Sequence, residues 1–381
     1  MKMLSLFNWL RAAVVCAAAG FSFAFPVASA MADGVGAVVT QSPASAYVQD
    51  GLVGFWDAQW NQGTDQLYNP YATTWIDLSG QGQAATAGTG TAAVKWGVDR
   101  AYMNPSNGVS TLGRMTFTAS EAFRSALNSR AWTQQLCLKV RNYMNHDVTF
   151  FGSGSGQSFC LRSDYASNHM FEYCGGYYGD LSGKMPSWLA GCTDTLLRDD
   201  TRIRRYVDSK LSTDGAAPEG VASVGTEFRL GNVKANEGSC DYELYAVRVY
   251  SRELAAIEIA HNDDIDARRY FGKTAAGNFV QSVSSTGVKY GSPVPSYADP
   301  VDVAVGTEYT FSVADSVQTY ASDGVLAAKV TDNNRAVYLG GTVRELTDEG
   351  LVTIAELDNA TTSHQVTLAS DTDVTWNWKL L

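Results

Sequence analysis

One stretch decides the fold: Tyr242-Glu243-Leu244-Tyr245-Ala246-Val247-Arg248-Val249-Tyr250-Ser251-Arg252-Glu253-Leu254. Its apolar residues alternate as in a β-strand as far as Tyr250, and the alternation stops at Ser251-Arg252. The spacing then becomes helical up to Ala267-Arg268-Arg269, and the stretch runs on to Phe271. A long strand followed directly by a short helix indicates the end of a domain. We therefore predict that the shorter strands before it need this strand as their last partner.

The composition favours a packed protein rich in β-structure. The chain has 381 residues, of which 45% are hydrophobic and 18% charged, enough apolar material for two or three domains. It contains 35 glycines, 19 tyrosines, 9 tryptophans and 15 phenylalanines. Many aromatic residues and glycine turns are typical of antiparallel sheets. Short strand patterns separated by turn residues then predict an all-β sandwich or jelly roll.

Residues 1–30 have the pattern of a signal peptide. Lys2 and Arg11 precede an apolar run, and Ala28-Ser29-Ala30 is a small-x-small cleavage site. A membrane anchor is the alternative, but the run is short and Pro26 interrupts it. No later stretch of about 18 apolar residues follows. We predict a secreted chain, extracellular or at the cell surface, with no transmembrane segment after signal cleavage.

The net charge narrows the classes of partner. The formal charge of the full chain is -11. An acidic surface repels nucleic acid and anionic membranes, so we predict neither as a partner. The charge is compatible with neutral sugars and with cations.

Five cysteines remain once the signal peptide, which contains Cys16, is removed. Export permits disulfides, and we predict that Cys160 and Cys174 face each other across a hairpin. Cys192 and Cys240 form a second, looser candidate pair. Buried free thiols are the alternative, and no C-x-x-C spacing indicates zinc.

The strand patterns and linker-like segments predict where the domains begin and end. Residues 31–50 are small and polar, and we expect them to form a flexible lead. Short strand patterns and the closing helix occupy 51–272. Residues 273–278 are linker-like, and 279–381 resume the alternation as a smaller sandwich of immunoglobulin-like size.

The closing helix pattern has an apolar side and a charged side. Leu254, Ile257 and Ile265 are expected to face the sheet. Asp263-Asp264-Ile265-Asp266 follows His261, but helical spacing scatters these groups, so we interpret them as solvated and not as a site. The charged residues are therefore expected to face water: Asp263, Asp264, Arg268 and Arg269.

Four segments occur in an order that resembles one family. Gly51-Leu52-Val53-Gly54-Phe55-Trp56-Asp57 looks like its opening strand, and Trp75-Ile76-Asp77-Leu78-Ser79-Gly80-Gln81-Gly82 like its next turn. Arg202–Leu211 is similar to an "L-Y-V-D-G-K-L" strand and turn. Leu244–Leu254 looks like a "V-R-I-Y-x-R-x-L" ending, the most specific of the four. Residues 51–271 thus resemble a LamG-like (laminin G-like, concanavalin A-like) jelly-roll domain.

The resemblance implies an all-β fold in which an antiparallel two-sheet jelly roll is followed by a smaller β-sandwich. It implies extracellular binding, often of carbohydrate, more than catalysis. Thr375-Trp376-Asn377-Trp378-Lys379 is similar to the ends of domains appended to secreted bacterial surface proteins. The C-terminal region therefore resembles an immunoglobulin-like bacterial repeat.

The resemblance also implies a calcium site, but this sequence departs from it. Many of these domains have an acidic pair just before the "V-R-I-Y" core, where this chain has Tyr245 and Ala246. Calcium takes six to eight oxygen ligands, and Asp77 in its glycine-rich turn can supply some of them. The alternative for Asp77 is a turn-former that bonds its own backbone. The remaining candidate calcium ligands are Asp57, Asp77, Asp241 and Glu243.

A glycine-rich loop is the candidate sugar-binding site. Sugars are bound by aromatic rings beside amide or carboxylate groups in a cleft. Tyr177 and Tyr178 stand between glycines, Asp180 follows, and Trp188 is close in sequence. The alternative is a loop held in place by its own tyrosines. We predict this loop as the ligand site.

No sequence pattern indicates catalysis. Jelly-roll hydrolases place paired carboxylates on alternate positions of one strand. Glu356-Leu357-Asp358 begins that pattern but lacks the final acid. No G-x-S-x-G precedes a helix, and no H-E-x-x-H is present. We therefore predict a secreted non-catalytic binding or adhesion protein that recognises carbohydrate or a cell-surface partner. The alternatives are a glycoside hydrolase or lyase on the same fold, and a purely structural envelope protein.

Overall fold

β-strands dominate the computed structural model of this chain. The structure describes residues 43–63, 69–88, 94–103, 114–142, 148–153, 159–164, 168–173, 176–178, 190–221, 224–231, 241–273, 278–284, 293–294, 297–304, 306, 308–313, 317–319, 326–329, 335–347 and 349–380. Its α-helices within these ranges are α1 (Glu121–Leu127) and α2 (Ala256–Phe271). Short 3-10 helices occupy Pro43–Ala46 and Ala58–Trp60.

The strands are numbered in chain order. The first half of them are β1 (Leu52–Asp57), β2 (Thr74–Trp75), β3 (Ala85–Ala87), β4 (Lys95–Trp96), β5 (Ala101–Met103), β6 (Arg114–Thr118), β7 (Trp132–Asn142), β8 (Val148–Ser153), β9 (Phe159–Asp164), β10 (Asn168–Tyr173), β11 (Gly176–Tyr178), β12 (Cys192–Arg198) and β13 (Arg202–Val207). The others are β14 (Lys210–Ala216), β15 (Glu227–Gly231), β16 (Asp241–Tyr250), β17 (Asn278–Ser284), β18 (Pro293–Val294), β19 (Tyr297–Val303), β20 (Glu308–Val313), β21 (Val317–Thr319), β22 (Leu326–Lys329), β23 (Arg335–Thr347), β24 (Gly350–Leu357), β25 (Ser363–Thr367) and β26 (Thr372–Leu380).

Two eight-stranded antiparallel sheets form the first part of the fold. The first sheet has the order β14-β13-β12-β7-β16-β5-β4, and β1 also pairs with β16. The second sheet has the order β11-β10-β9-β8-β15-β6-β3-β2. Apolar residues from both sheets share one core, which confirms the predicted all-β two-sheet arrangement.

Strand β16, the stretch that was expected to complete the domain, lies inside the first sheet. It pairs with β7 along one edge and with β5 and β1 along the other. Val247 and Val249 belong to the core between the two sheets. Because side chains alternate along a strand, Arg248 and Tyr250 lie on the opposite face, under α2. A bulge at Tyr245 places that ring on the α2 side as well.

Helix α2 covers this outer face. Its first turn is closed by Glu258, which accepts the backbone N–H of Ala255 at 2.9 Å. Its end is set by Gly272, whose φ of 63° is left-handed. Ile257 and Ile265 are buried, as the apolar spacing predicts.

The prediction that the charged residues of α2 face water is wrong for Asp263, Asp266 and Arg269; the Arg269 side chain is 15% exposed and is paired with Asp57. Asp263 is 5% exposed and accepts the N–H of Ser209 at 2.7 Å. Asp266 is fully buried and binds Arg248 through two hydrogen bonds of 2.9 and 2.5 Å. The physical reason is that the sheet supplies counter-charges and donors for the buried carboxylates. Arg268, by contrast, is exposed.

Residues 43–48 differ from the predicted flexible lead. The Tyr47 hydroxyl donates to Asp266 at 2.8 Å, and its ring lies 4.2 Å from the guanidinium of Arg248. The backbone N–H of Val48 donates to Asn262 at 3.0 Å. Tyr47 and Val48 are buried because they close one side of the polar layer beneath α2.

The C-terminal strands form two further sheets with a core of their own. The third sheet has the order β19-β17-β26-β23-β22-β21, with β24 on β23, and the fourth has the order β18-β20-β25. Phe311 of the fourth sheet shares a core with Tyr338, Trp376 and Trp378 of the third. The two tryptophans therefore pack inside the C-terminal core.

His261 joins α2 to the C-terminal sheets. Its Nδ1 lies 2.8 Å from Asp371 Oδ2, and its Nε2 lies 3.1 Å from the carbonyl oxygen of Ala46. Asp371 in turn accepts the backbone N–H of Phe279, at the start of β17, at 2.7 Å. Both ring nitrogens face acceptors, so this arrangement is complete only when the imidazole carries two protons.

We expect replacement of His261 by glutamine to destabilise the protein by about 1 kcal/mol at acidic pH and by less at alkaline pH. Burial lowers the pKa of His261, but the hydrogen bond and charge of Asp371 outweigh burial, and the net shift is upward. Arg268 opposes that rise. The stabilisation is therefore complete below the unfolded pKa, about 6.5, and is lost as the pH rises through the folded value.

Urea unfolding of the unchanged protein and of His261→Gln measures the loss of stability at each pH. The two pH values, about 5.5 and about 8.5, lie on either side of the unfolded pKa of histidine. In an Asp371→Asn background the pH dependence of the His261→Gln effect should become smaller, because the carbonyl of Ala46 remains as the acceptor for the other ring nitrogen. An effect of equal size at both pH values would show that His261 acts without its charge.

Candidate functional site

Two of the four predicted sugar-binding residues lie on an edge strand, and the other two lie outside the described ranges. Tyr177 and Tyr178 lie in β11, at the end of the second sheet, where the backbone of β10 pairs with them. Asp180 and Trp188 lie outside the described residues. The loop therefore stays a prediction.

The cysteines do not support one of the two predicted disulfides. Cys192 is a buried free thiol, which contradicts its pairing with Cys240. Cys137 is free as well, and it lies on the α2 side of the sheet, whereas Cys192 lies in the core between the sheets. Cys160 pairs in register with Glu172. Its proposed partner, Cys174, lies outside the described residues, so that disulfide stays a prediction.

Asp57 and Asp77 use their carboxylates within the fold. Asp57 accepts from Arg269 Nη1 at 2.6 Å and from the Tyr270 hydroxyl at 2.8 Å. Asp77 accepts the backbone N–H groups of Phe55 at 2.9 Å, Ser79 at 2.9 Å and Gln83 at 3.2 Å. This is the turn-forming role that was the alternative to calcium binding. The turn also ties the loop after β2 to β1.

The predicted calcium ligands do not form a cation site where their side chains are described. Glu243 contacts two arginines, and Asp57 contacts one, so a cation would have to displace guanidinium groups. Of Asp241 the structure describes the backbone, which pairs with Asn142. Across the described ranges no three His, Cys, Asp or Glu side chains group as metal ligands. Asp57, Asp77 and Glu243 therefore do not fit calcium.

Glu243 instead lies at the centre of a charged row on the first sheet. Backbone register places Lys95 of β4 beside Tyr102 of β5, Tyr102 beside Glu243 of β16, and Glu243 beside Lys139 of β7. The neighbours of these residues along each strand, such as Leu138 and Leu244, belong to the core. Strand alternation therefore points the row to the outer face of the sheet.

Two arginines complete this surface. Arg100 Nη1 lies 2.9 Å from Glu243 Oε2, and Arg141 Nε lies 3.3 Å from Glu243 Oε1. The guanidinium of Arg141 lies 5.5 Å from the ring centre of Tyr102, within the range of a cation–π contact. We call this surface the basic face and define it by six residues: Lys95, Arg100, Tyr102, Lys139, Arg141 and Glu243.

Local backbone geometry determines where the side chains of Arg100 and Arg141 lie. Arg100 follows a tight turn between β4 and β5, closed by the Gly97 N–H and the Arg100 carbonyl at 2.8 Å. A Cβ at Gly97 would come within 2.9 Å of Arg100 Cγ and 3.0 Å of the Tyr102 ring. Arg141 is the extra residue of a bulge in β7, and bulges commonly re-aim a side chain.

The charges of the basic face are arranged with the cations outside. The Glu243 side chain is 6% exposed, whereas that of Arg141 is 50% exposed and Lys95 is exposed. Tyr245 also donates its hydroxyl to Glu243. Burial raises the pKa of Tyr245, and the bond to Glu243 raises it further, so the phenol stays protonated. With three donors around it, Glu243 holds positive charge in place and is poorly suited to moving a proton.

Sequence reasoning selected Glu243, as a metal ligand, and missed the cations around it. Lys139 and Arg141 lie two apart in a strand pattern, which places them on one face. That signal was present in the sequence. Lys139 and Arg141 come close to Lys95 and Arg100 because of the order of the strands in the sheet, and the sequence pattern of one strand does not predict that order.

No protein-family model matches this chain, and no curated protein matches it. The LamG-like resemblance therefore stays a prediction. No helix in the described part of the chain is both long and apolar enough to cross a membrane.

Some solved structures show partial similarity. A structure of botulinum neurotoxin type C, whose cell entry depends on two ganglioside molecules, is 10% identical, with a TM-score of 0.45 over 81% of this chain and 69% of that chain. Trypanosoma rangeli sialidase in complex with sialic acid is 15% identical, with a TM-score of 0.41 over 59% of this chain. This chain spans 34% of the sialidase chain.

Proposed function

We propose that this protein is a secreted, non-catalytic binding protein whose jelly roll recognises carbohydrate, in the manner of the LamG-like domains it resembles. The basic face is the observation that carries this proposal. It combines held guanidinium groups, lysines, a tyrosine ring and a buried carboxylate on one sheet surface. Polar groups fixed in this way can bind hydroxyl and carboxylate groups of a sugar without being ordered first.

The position of the basic face supports a binding role. Helix α2 covers the part of β16 that contains Arg248. The basic face surrounds Glu243, which lies nearer the start of the same strand. The side chains that surround Glu243 are two arginines and a tyrosine. A glycosidase needs a second carboxylate in a proton-transfer role, whereas the neighbouring carboxylate of Asp99 is paired with Arg100, the same arginine that binds Glu243. Glu243 is instead committed to charge pairs, which favours binding over hydrolysis.

A glycan array incubated with the full chain tests the proposal. We expect binding to a subset of glycans, and a loss of about tenfold in apparent affinity for Arg141→Gln. Tyr177→Ala with Tyr178→Ala tests the predicted loop in the same experiment. Chelator should leave binding through the basic face unchanged, because the positive charge of that surface comes from arginine and lysine side chains.

An array without any bound glycan, with and without added calcium, would contradict carbohydrate recognition. Recognition of a cell-surface protein, or a structural role in the envelope, would then be the better explanation. Release of reducing sugar from a polysaccharide, abolished by one carboxylate substitution, would instead establish the hydrolase alternative.

A further inference from the structure

We propose that the basic face selects acidic sugars, with Arg141 and Lys139 as the groups that bind the sugar carboxylate. This inference rests on the proposed function and adds the chemical class of the ligand. The net charge of the chain by itself is compatible with neutral sugars, and the basic face adds a local preference that the net charge does not predict.

The first argument is the sign of the exposed charge. The basic face has four cations in a chain whose net charge is -11. The carboxylate of the face, Glu243, has a side chain that is 6% exposed, against 50% for Arg141 and 30% for Arg100. The adjacent Asp99, 26% exposed, is paired with Arg100. Solvent and ligand therefore meet positive charge first. A local positive surface on an acidic protein attracts anions to that one place.

The second argument is the donor capacity that the fold leaves over. Arg100 is engaged by both Asp99 and Glu243, at 2.6 and 2.9 Å. Arg141 contacts Glu243 through Nε at 3.3 Å, and the described residues provide no partner for its two terminal nitrogens. Lys95 and Lys139 likewise have no ion-pair partner within the described ranges. A carboxylate can accept two parallel N–H bonds from such a guanidinium.

The third argument concerns the aromatic ring. Neutral sugars are commonly held by stacking on an open aromatic face, but one face of Tyr102 is occupied by the guanidinium of Arg141. The ring therefore orders Arg141 before any ligand arrives. A preordered cation loses little side-chain entropy on binding, so this arrangement favours a charged group over a neutral one.

Oligosaccharides of equal length made of glucuronic acid or of glucose provide the test, since they differ in a carboxylate in place of a hydroxymethyl group. Calorimetric titration of the full chain should give at least tenfold tighter binding of the glucuronic acid oligomer. That preference should weaken with added salt, because exposed charges are screened over about 8 Å at physiological ionic strength. Arg141→Gln and Lys139→Gln should each reduce acidic binding about tenfold and leave glucose binding unchanged.

Lys210→Gln is the matched control. Lys210 is an exposed lysine of the same sheet, at its far edge in β14, and its removal should not alter binding. Equal affinity for the two oligomers, or acidic binding that survives both Arg141→Gln and Lys139→Gln, would overturn this inference. If neutral glycans bind the array but acidic ones are not preferred, the inference fails alone. If no glycan binds, the proposed function fails with it.

Discussion

Replacement of Arg248 by methionine is expected to lower the free energy of unfolding by about 3–5 kcal/mol. Arg248 and Asp266 are both fully buried and joined by two hydrogen bonds. Burial lowers the pKa of Arg248, but Asp266 outweighs burial, so the guanidinium stays charged. Without it, Asp266 keeps the hydroxyl donors of Tyr47 and Thr193, and no residue in the described part of the chain remains as its ion-pair partner.

Arg268→Met, on the helix that contains Asp266, provides the matched control. The Arg268 side chain is 42% exposed, and its guanidinium pairs with Asp264 four residues earlier. A pair of this kind contributes about 0.3–0.5 kcal/mol. Urea unfolding followed by circular dichroism measures both variants.

A double variant separates charge from packing. Arg248→Met combined with Asp266→Leu removes both charges, and the loss should be smaller than for Arg248→Met alone, because no buried charge remains unpaired. A loss for Arg248→Met no larger than for Arg268→Met would contradict the role of the ion pair in holding α2.

Replacement of Gly340 by alanine is expected to destabilise the C-terminal sheets by about 3 kcal/mol or more. Gly340 follows a bulge in β23 and has a φ of 109°. A Cβ there would lie 2.1 Å from the carbonyl oxygen of Leu357. That oxygen is backbone at the end of β24, so a rotamer change cannot relieve the clash.

Gly306→Ala separates the clash from the backbone conformation. Gly306 also has a positive φ, 79°, but a Cβ there meets no atom within 4 Å. Its substitution should cost about 1–2 kcal/mol, the penalty for an L-residue in this region. Thermal unfolding of both variants tests the difference. Equal losses would show that β23 can shift to accommodate the methyl group.

Much of the fold is predictable from local patterns. The alternation around Val247 and Val249 indicates a buried strand, and the change of spacing after Leu254 indicates the helix that follows. The structure places both as expected. Both patterns predict the structure correctly because each depends only on residues within one strand or one helix.

Strand β12 was not predicted from its sequence. All seven of its residues are buried, including Asp194, which forms an ion pair with Arg205 of β13. Alternation disappears because one face meets the core and the other meets the layer beneath α2. A strand covered on both faces lacks the period of two that identifies half-buried strands.

By itself, the sequence determined the all-β class, the closing strand and helix, and the alternation that separates the core face of β16 from its outer face. Only the tertiary structure decided where the charges go. Arg248 meets Asp266, and Lys95 shares a surface with Lys139, across separations that no local pattern spans. Strand order and register set those meetings, because the energy of a charge depends on the partners that the fold brings to it.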